Sequence, residues 1–342
     1  MNSIQRVLSA LSFKEPDRVP LFLALTMHGA KELGLSQKDY FSNPEYVFEG
    51  QVLIQKKYAN DFFYAFYYAP LEIEILGGEV FKSEDGPTNS GNPVLRNLND
   101  IKNFSFPKIN KTKRLLDVLK TIKLLKQHSK DEVPIVGVAM SPFSLPVMQM
   151  GFDKYIDLIY ENKILFNKLI EKNAEFCIDY ANAQLDAGAT AVCYFDPVSS
   201  NTIINRELFI ETGFRIAKET IKKIKGPVVM HFASGRCEKI IDLLPETGCA
   251  MIGVSIMDNL EKLKNSTYGK ISIAGNLNGI EMRNWTLKET EEIVKKTIGN
   301  GAPGGGFILS DNHGEIPFQV PEEVLLKISE TVQKFGNYPI NL

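Results

Sequence analysis

The side chains best able to do acid–base or metal chemistry stand at the ends of short apolar runs. His28 follows LFLALTM, His231 lies in VVMHFASG and His313 in GFILSDNHGE. Tyr194 and Asp196 end AVCYFDP, Met140 and Ser141 end PIVGVAMS, and Asn276 and Asn278 fall in ISIAGNLN. Imidazoles beside carboxylates can relay protons or bind a divalent metal. His231 and His313, with Asp196 and Asp311 on neighbouring strand ends, read as one polar cluster. Its spacing is not that of a compact zinc motif. Asp196, just before Pro197, reads either as a member of that cluster or as a loop cap. His128 ends a Lys-rich helix and reads as a solvated helix-terminal cation.

Other candidates carry a bland reading alongside the chemical one. Glu72 and Glu74 follow FYAFYYAP and are expected to face solvent from a hairpin. Cys237 follows Gly235-Arg236, where a helix N-terminus could lower its pKa, but it reads as an inert packed cysteine. The alternate side chains Tyr64, Phe66 and Tyr68 could line a pocket for a flat or apolar ligand.

These positions matter only if the fold brings them together. Short β-rich runs alternate with longer helical patterns along the chain, which favours a parallel α/β sheet. Strands are expected at 19–25, 62–68, 134–140, 191–195, 228–232, 251–255, 271–275 and 306–310. Helices are expected at 3–11, 44–58, 112–127, 155–160, 162–186, 207–223, 239–244, 260–264, 287–298 and 321–335. Asn43 and Pro44 suit the cap and first turn of the second helix. Residues 72–81 and 93–97 should form a hairpin excursion around Asp85-Gly86-Pro87. The strands are continuously apolar, as in sheets covered on both faces. A closed (β/α)8 TIM barrel with an N-terminal helical extension is the better reading, and a doubly wound open sheet the alternative. Gly304-Gly305-Gly306 precedes a strand instead of following one, which argues against a Rossmann site. In a barrel, polar strand ends converge on the active site.

The 342 residues fit one barrel domain, 1–342. A net charge of −2 gives no support for a nucleic-acid or membrane-surface partner. The four cysteines, Cys177, Cys193, Cys237 and Cys249, form no CxxC pair. With no signal-like leader and no membrane-length apolar run, a cytoplasmic enzyme is expected.

The segment RVLSALSFKEPDRVP, Arg6 to Pro20, resembles the opening signature of the uroporphyrinogen decarboxylase superfamily, particularly its methylcobamide:coenzyme M methyltransferase-like branch. VGVAMSPFSL, CYFDPVSS, VVMHFASG, ISIAGNLNG and GGFILSDNHGEIPFQVPEEV follow in the same order, so the resemblance covers nearly the whole chain. It implies a (β/α)8 barrel. Where the decarboxylase carries an Arg-Gln-Ala-Gly-Arg segment for substrate carboxylates, this chain reads LTMHGAKELG, with only Lys31 basic. A porphyrinogen needs several fixed cations, so its decarboxylation is not expected. His313-Gly314 does resemble the decarboxylase's late His-Gly pair.

The coenzyme M methyltransferases hold zinc through His-x-Cys and a later Cys. Here His231 matches the first ligand, Ala233 replaces the Cys, and His313 stands at the later one. A His/His set is a Lewis or Brønsted acid site more than a thiol-activating one. The resemblance therefore implies a corrinoid-dependent methyltransferase moving a methyl group from a small donor, such as a methoxylated aromatic, to the cobalt of a small corrinoid-binding protein. Zn2+ would sit on His231 and His313. His231, His313 and Asp196 would be catalytic, and Tyr194, Asn276, Tyr68, Met140 and His28 would contact substrate. A homodimer is a further expectation. The alternatives are a methylcorrinoid:thiol methyltransferase and a decarboxylase of a small acid.

Overall fold

The computed structural model describes all 342 residues. Strands β1 (Leu21–Phe22), β2 (Phe63–Tyr64), β5 (Ile135–Met140), β6 (Ala191–Phe195), β7 (Val228–His231), β8 (Met251–Gly253), β9 (Ser272–Leu277) and β10 (Phe307–Asp311) form one sheet in the order β1-β10-β9-β8-β7-β6-β5-β2. Every pairing in it is parallel. The remaining strands, β3 (Val80–Phe81) and β4 (Asn89–Ser90), make a separate antiparallel hairpin.

The sheet curls until its two end strands meet. Across that seam Asp61 N–H donates to the Leu21 carbonyl at 2.9 Å. The Asn60 side-chain amide accepts Leu23 N–H at 3.0 Å and donates to Leu23 C=O at 3.1 Å, imitating a strand where β1 and β2 share no ladder. The fold is a TIM-barrel-like α/β arrangement. Alternate residues face the lumen: Val136, Val138, Cys193, Met251, Ala274 and Ile308 pack there as one cluster. The residues between them pack outward against the helices in the main core. Burial on both faces is the reason the strands read as unbroken apolar runs.

The opening signature closes the N-terminal end of this barrel. The helix Ser3–Leu11 lies across it, with Val7 in the lumen cluster. Arg6 bridges Asp17, at 2.7 and 2.8 Å, to Asp61, at 2.7 Å. Asp61, 1% exposed, also accepts Arg18 at 2.7 Å, Ser3 Oγ at 2.9 Å and Leu21 N–H at 2.8 Å.

Most elements fall where the sequence places them, with four differences. The strands expected at 19–25 and 62–68 shrink to two residues each, because Asn60 and Asp61 take over their pairing at the seam. Leu71–Ile75 is helical, and the excursion pairs Val80 with Ser90 and Phe81 with Asn89, so 93–97 is not its second strand. The helix expected at 207–223 carries a π-turn at Ile210–Phe214, where Gly213 packs against Ser199. Residues 239–243 form turns followed by a 3-10 turn at Leu244–Thr247 in place of a helix. No helix is long and apolar enough to cross a membrane.

Asp61 gathers two guanidinium groups, a hydroxyl and a peptide N–H in a buried place. Removing it strands those donors. Asp61→Ala should lose ~3–5 kcal/mol of stability in denaturant unfolding; a loss below ~1 kcal/mol would show that the seam does not depend on it.

Candidate active site

His231 is the last residue of β7, and its side chain turns into the lumen. Its Nδ1 accepts the N–H of Ala233 at 2.9 Å. Ala233 adopts the left-handed conformation (φ 51°), which a residue other than glycine rarely takes. The ring stacks on Phe195 with centroids 5.5 Å apart and planes 17° apart. It fills the place of a side chain at Gly253, where a Cβ would stand 2.2 Å from Cδ2. Gly314 closes the other side, its own Cβ position 3.3 Å from Cε1. Burial, and then the nearby His313, push the His231 pKa down to about 4. The ring is therefore neutral at neutral pH. With Nδ1 committed as an acceptor, Nε2 carries the hydrogen.

His313 reaches the same place from the loop after β10. Asp311 Oδ2 accepts the N–H groups of His313 and Gly314, both at 2.8 Å, and so fixes that loop. Tyr64 O–H donates to the Gly314 carbonyl at 3.1 Å. His313 Nδ1 meets the Ser234 hydroxyl, and burial lowers its pKa. Around this pair, Asp311 Oδ1, Asn312 Nδ2 and His313 Nε2 are buried without hydrogen-bond partners. Burial raises Asp311 to about 6. Burial, and then the charge of Asp311, raise Glu315, which accepts the Thr26 hydroxyl, to about 7. Asn276 points inward from β9 and donates to the Ser255 carbonyl at 3.0 Å, and Ser255 Oγ donates to the Ser234 carbonyl at 2.7 Å. Below His231 the lumen holds a cavity of about 90 Å³ walled by Val136, Cys193, Met251, Ala274 and Ile308.

Other expected site residues lie elsewhere. Asp196 is fully buried, and three hydroxyls occupy its oxygens: Ser141 at 2.5 Å and Ser144 at 2.6 Å on Oδ1, Ser199 at 2.6 Å on Oδ2. It shares only a backbone bond with His231, its N–H donating to the His231 carbonyl at 2.7 Å. It ties the loop after β5 to the loop after β6. Tyr194 faces outward into the helix layer and belongs to the main core, which corrects the expectation of a substrate contact. Tyr68 leaves the lumen because β2 ends at Tyr64; it packs against Phe41 and Tyr67 and donates to Glu74. Met140 stays on the inner face and packs against Phe195. His28 is buried at the start of the helix His28–Leu33, 6.0 Å from the Phe318 ring, and both its nitrogens lack partners. Burial, and then Lys31, push its pKa down to about 3.

Glu72 is not a solvent-facing hairpin residue. It is buried in the helix Leu71–Ile75, accepts Met140 N–H at 3.2 Å, and is raised by burial to about 7. Cys237 is fully buried and held well above the ordinary thiol range, as an inert cysteine should be. His128 is exposed at its helix end, edge-on to Phe48. Ser234 lies with His231 at the strand end in VVMHFASG; Glu315 and Gly253 are not singled out by the sequence. Glu315 had a usable signal, lying just beyond a strand end beside His313; Gly253 looked like any strand glycine.

The donors present do not fit the zinc site that the sequence resemblance implies. No three His, Cys, Asp or Glu side chains come together as a metal-binding group. His231 Nδ1 is occupied by a peptide N–H and Nε2 bears the proton, so neither nitrogen is a ligand. Ala233 offers no thiolate, and Asp196 is saturated by serines. The arrangement is instead one of fixed hydrogen-bond donors and carboxyl groups at the mouth of a parallel α/β barrel.

The uroporphyrinogen decarboxylase (URO-D) family pattern matches residues 2–335, and the chain belongs to that family. It is 27% identical over 271 residues to uroporphyrinogen decarboxylase of Ralstonia pickettii (strain 12J), covering 74% of this chain and 72% of that one. It is 26% identical over 211 residues to the methylcobamide:CoM methyltransferase MtbA of Methanosarcina mazei, covering 60% of each. Among solved structures, a methyltransferase from Methanosarcina mazei shares the fold with a TM-score of 0.86 at 19% identity, over 98% of this chain and 99% of that one. A B12-independent methionine synthase from Shewanella sp. W3-18-1 shares it at 0.59 and 13% identity, over 93% of this chain and 98% of that one. The relatives of this URO-D family member thus include both decarboxylases and a methyltransferase.

Two substitutions check this geometry. Gly253→Ala puts a methyl group where the His231 ring lies; it should cost ~1–3 kcal/mol by overpacking and lower activity ~100-fold or more by displacing the ring. Unchanged activity would mean that the ring's seat is irrelevant. Glu72 has a raised folded pKa, so it holds its proton where the unfolded chain has lost it. Its contribution is present below pH 4.5 and is lost as the pH rises to about 7. Glu72→Gln should therefore gain stability over the parent across that window, in denaturant titrations at stepped pH. A constant difference would contradict the burial of this carboxyl.

Proposed function

We propose that this enzyme moves a methyl group from a small O-methyl compound, such as a methoxylated aromatic, to the corrinoid of a separate small protein. The observation that carries the reading is His231: a neutral imidazole whose Nδ1 is locked by a peptide N–H, leaving Nε2–H as a fixed donor. Methyl ethers resist displacement because alkoxide and phenoxide are poor leaving groups. A reduced corrinoid on the partner supplies the nucleophile that accepts the methyl group. As the O–CH3 bond breaks, its electron pair goes to oxygen. His231 Nε2–H stabilises the developing charge, as fixed donors do in oxyanion sites, and the Asp311 carboxyl supplies the proton. A neutral histidine can play this electrophilic part. The likeness to MtbA supports methyl-group chemistry, while the missing thiolate at Ala233 speaks against thiol alkylation.

The rim of the mouth suits a partner. Ile203, Ile256, Met257 and Ile280 are exposed on the loops after β6, β8 and β9. A flat macrocycle presented by another protein would cover such apolar groups. A cytoplasmic setting accords with four buried, unpaired cysteines.

The test is reconstituted demethylation of an aryl methyl ether. His231→Ala should lower the rate ~100-fold or more, and prior chelation of the chain should leave the rate unchanged. A rate that His231→Ala leaves intact, or that chelation abolishes and zinc restores, would overturn the mechanism. Met257→Asp should slow methyl transfer to the corrinoid protein and spare transfer to free cob(I)alamin; equal slowing of both would remove the rim from the partner interface.

A further inference from the structure

The lumen of a (β/α)8 barrel is ordinarily filled by layers of bulky, branched side chains. In this chain several lumen positions carry small residues instead: Ala191 and Cys193 on β6, Gly253 on β8, Ala274 on β9 and Ser310 on β10. They leave open the cavity of about 90 Å³ beneath His231. Its wall runs from His231 and Gly314 at the upper end to the helix Ser3–Leu11 at the lower end. That helix lends it Ile4, Val7, Leu8 and Leu11, the i, i+3, i+4, i+7 spacing of one helical face. Leu8, 54% exposed, and the exposed Pro227 just before β7 belong to the same wall, so the lower end reaches the protein surface.

The chemistry of this wall is nearly uniform. No Asp, Glu, Lys or Arg side chain belongs to it. Burial keeps the His231 ring neutral and holds the Cys193 thiol up at about 12. The Tyr64 hydroxyl is spent on the Gly314 carbonyl at 3.1 Å, and the Thr190 hydroxyl accepts Ile135 N–H at 3.0 Å. The polar side chains left are His231 and Ser310, both near the C-terminal ends of their strands. Water needs two to four polar partners to stay in a cavity, and most of this one offers none. An apolar molecule needs only dispersion contacts with the wall. A dry apolar cavity of ~150 Å³ takes benzene or xenon. At about 90 Å³, this one suits a molecule of about four or five non-hydrogen atoms.

We propose that the lumen is a second ligand site, taking a small uncharged apolar molecule, a short hydrocarbon or halocarbon, from the end opposite the mouth. The site stands on the wall's composition and is independent of the methyl-transfer reading, so its test uses neither corrinoid nor methyl donor.

Xenon is the first probe, titrated as dissolved gas against the full chain and followed by NMR of methionine methyl groups. Met251 lies in the wall. Its signal, assigned by Met251→Leu, should shift saturably, while that of the exposed Met257 stays in place. No saturable shift at Met251 would overturn the proposal. Chloroform, an uncharged halocarbon of suitable size, should displace xenon, and methylammonium and acetate should not. Displacement by either ion as effective as that by chloroform would overturn the ligand class. Ala274→Ile and Ala191→Leu each fill part of the space and should weaken xenon binding ~10-fold or more. Overpacking can unfold such variants, so circular dichroism accompanies them. A folded variant that binds xenon as the parent does would contradict the site; if neither folds, the Met251 response of the parent decides.

Discussion

One hydrogen bond decides what this site can do. The Ala233 peptide N–H donates to His231 Nδ1, which fixes both the ring's orientation and the nitrogen that bears its hydrogen. A zinc-binding imidazole must offer a lone pair to the metal and carry its proton on the other nitrogen. Here the order is reversed, and the nitrogen left over is a donor. Because burial also keeps the ring neutral, the donor is constant across the physiological range.

The surrounding fold exists to hold that ring still. Gly253 supplies the space, Phe195 the flat surface, and Gly314 the opposite wall. Gly314 is in turn fixed by Asp311 and Tyr64, so β10 and β2 both act on the site. At the far end of the lumen, Asp61 and the two arginines tie the N-terminal helix to the strand seam. The family signature Arg6–Pro20 thus contributes to closure and not to chemistry. Asp196, buried among serines, performs the same bracing for the loops after β5 and β6.

The regular part of the fold was legible because both-face burial writes itself as short apolar runs, and β5 to β10 fell close to their expected bounds. The seam was not legible: Asn60 and Asp61 replace strand pairing with side-chain bonds, a substitution that leaves no periodic trace. His231 ends β7 and His313 follows β10, as the strand ends implied, and the two rings come close to each other. The face of each strand residue was harder. Tyr194 sits one residue from lumen-facing Cys193 and Phe195, and parity sends it into the helix layer. Asp196 looked catalytic by position, yet Ser141, Ser144 and Ser199, distant or unremarkable in sequence, claim its oxygens. The zinc expectation followed from aligning His231 and His313 with ligand positions; only the coordinates reveal that Nδ1 is already taken.

The most direct test is the protonation pattern of His231, read by long-range 1H–15N NMR of the 15N-histidine-labelled chain, with the His231 signals assigned by His231→Gln. The account requires a neutral ring with Nε2 protonated and Nδ1 bare at neutral pH, unmoved by added zinc. A hydrogen on Nδ1, or a stoichiometric zinc-induced change at Nε2, would contradict it.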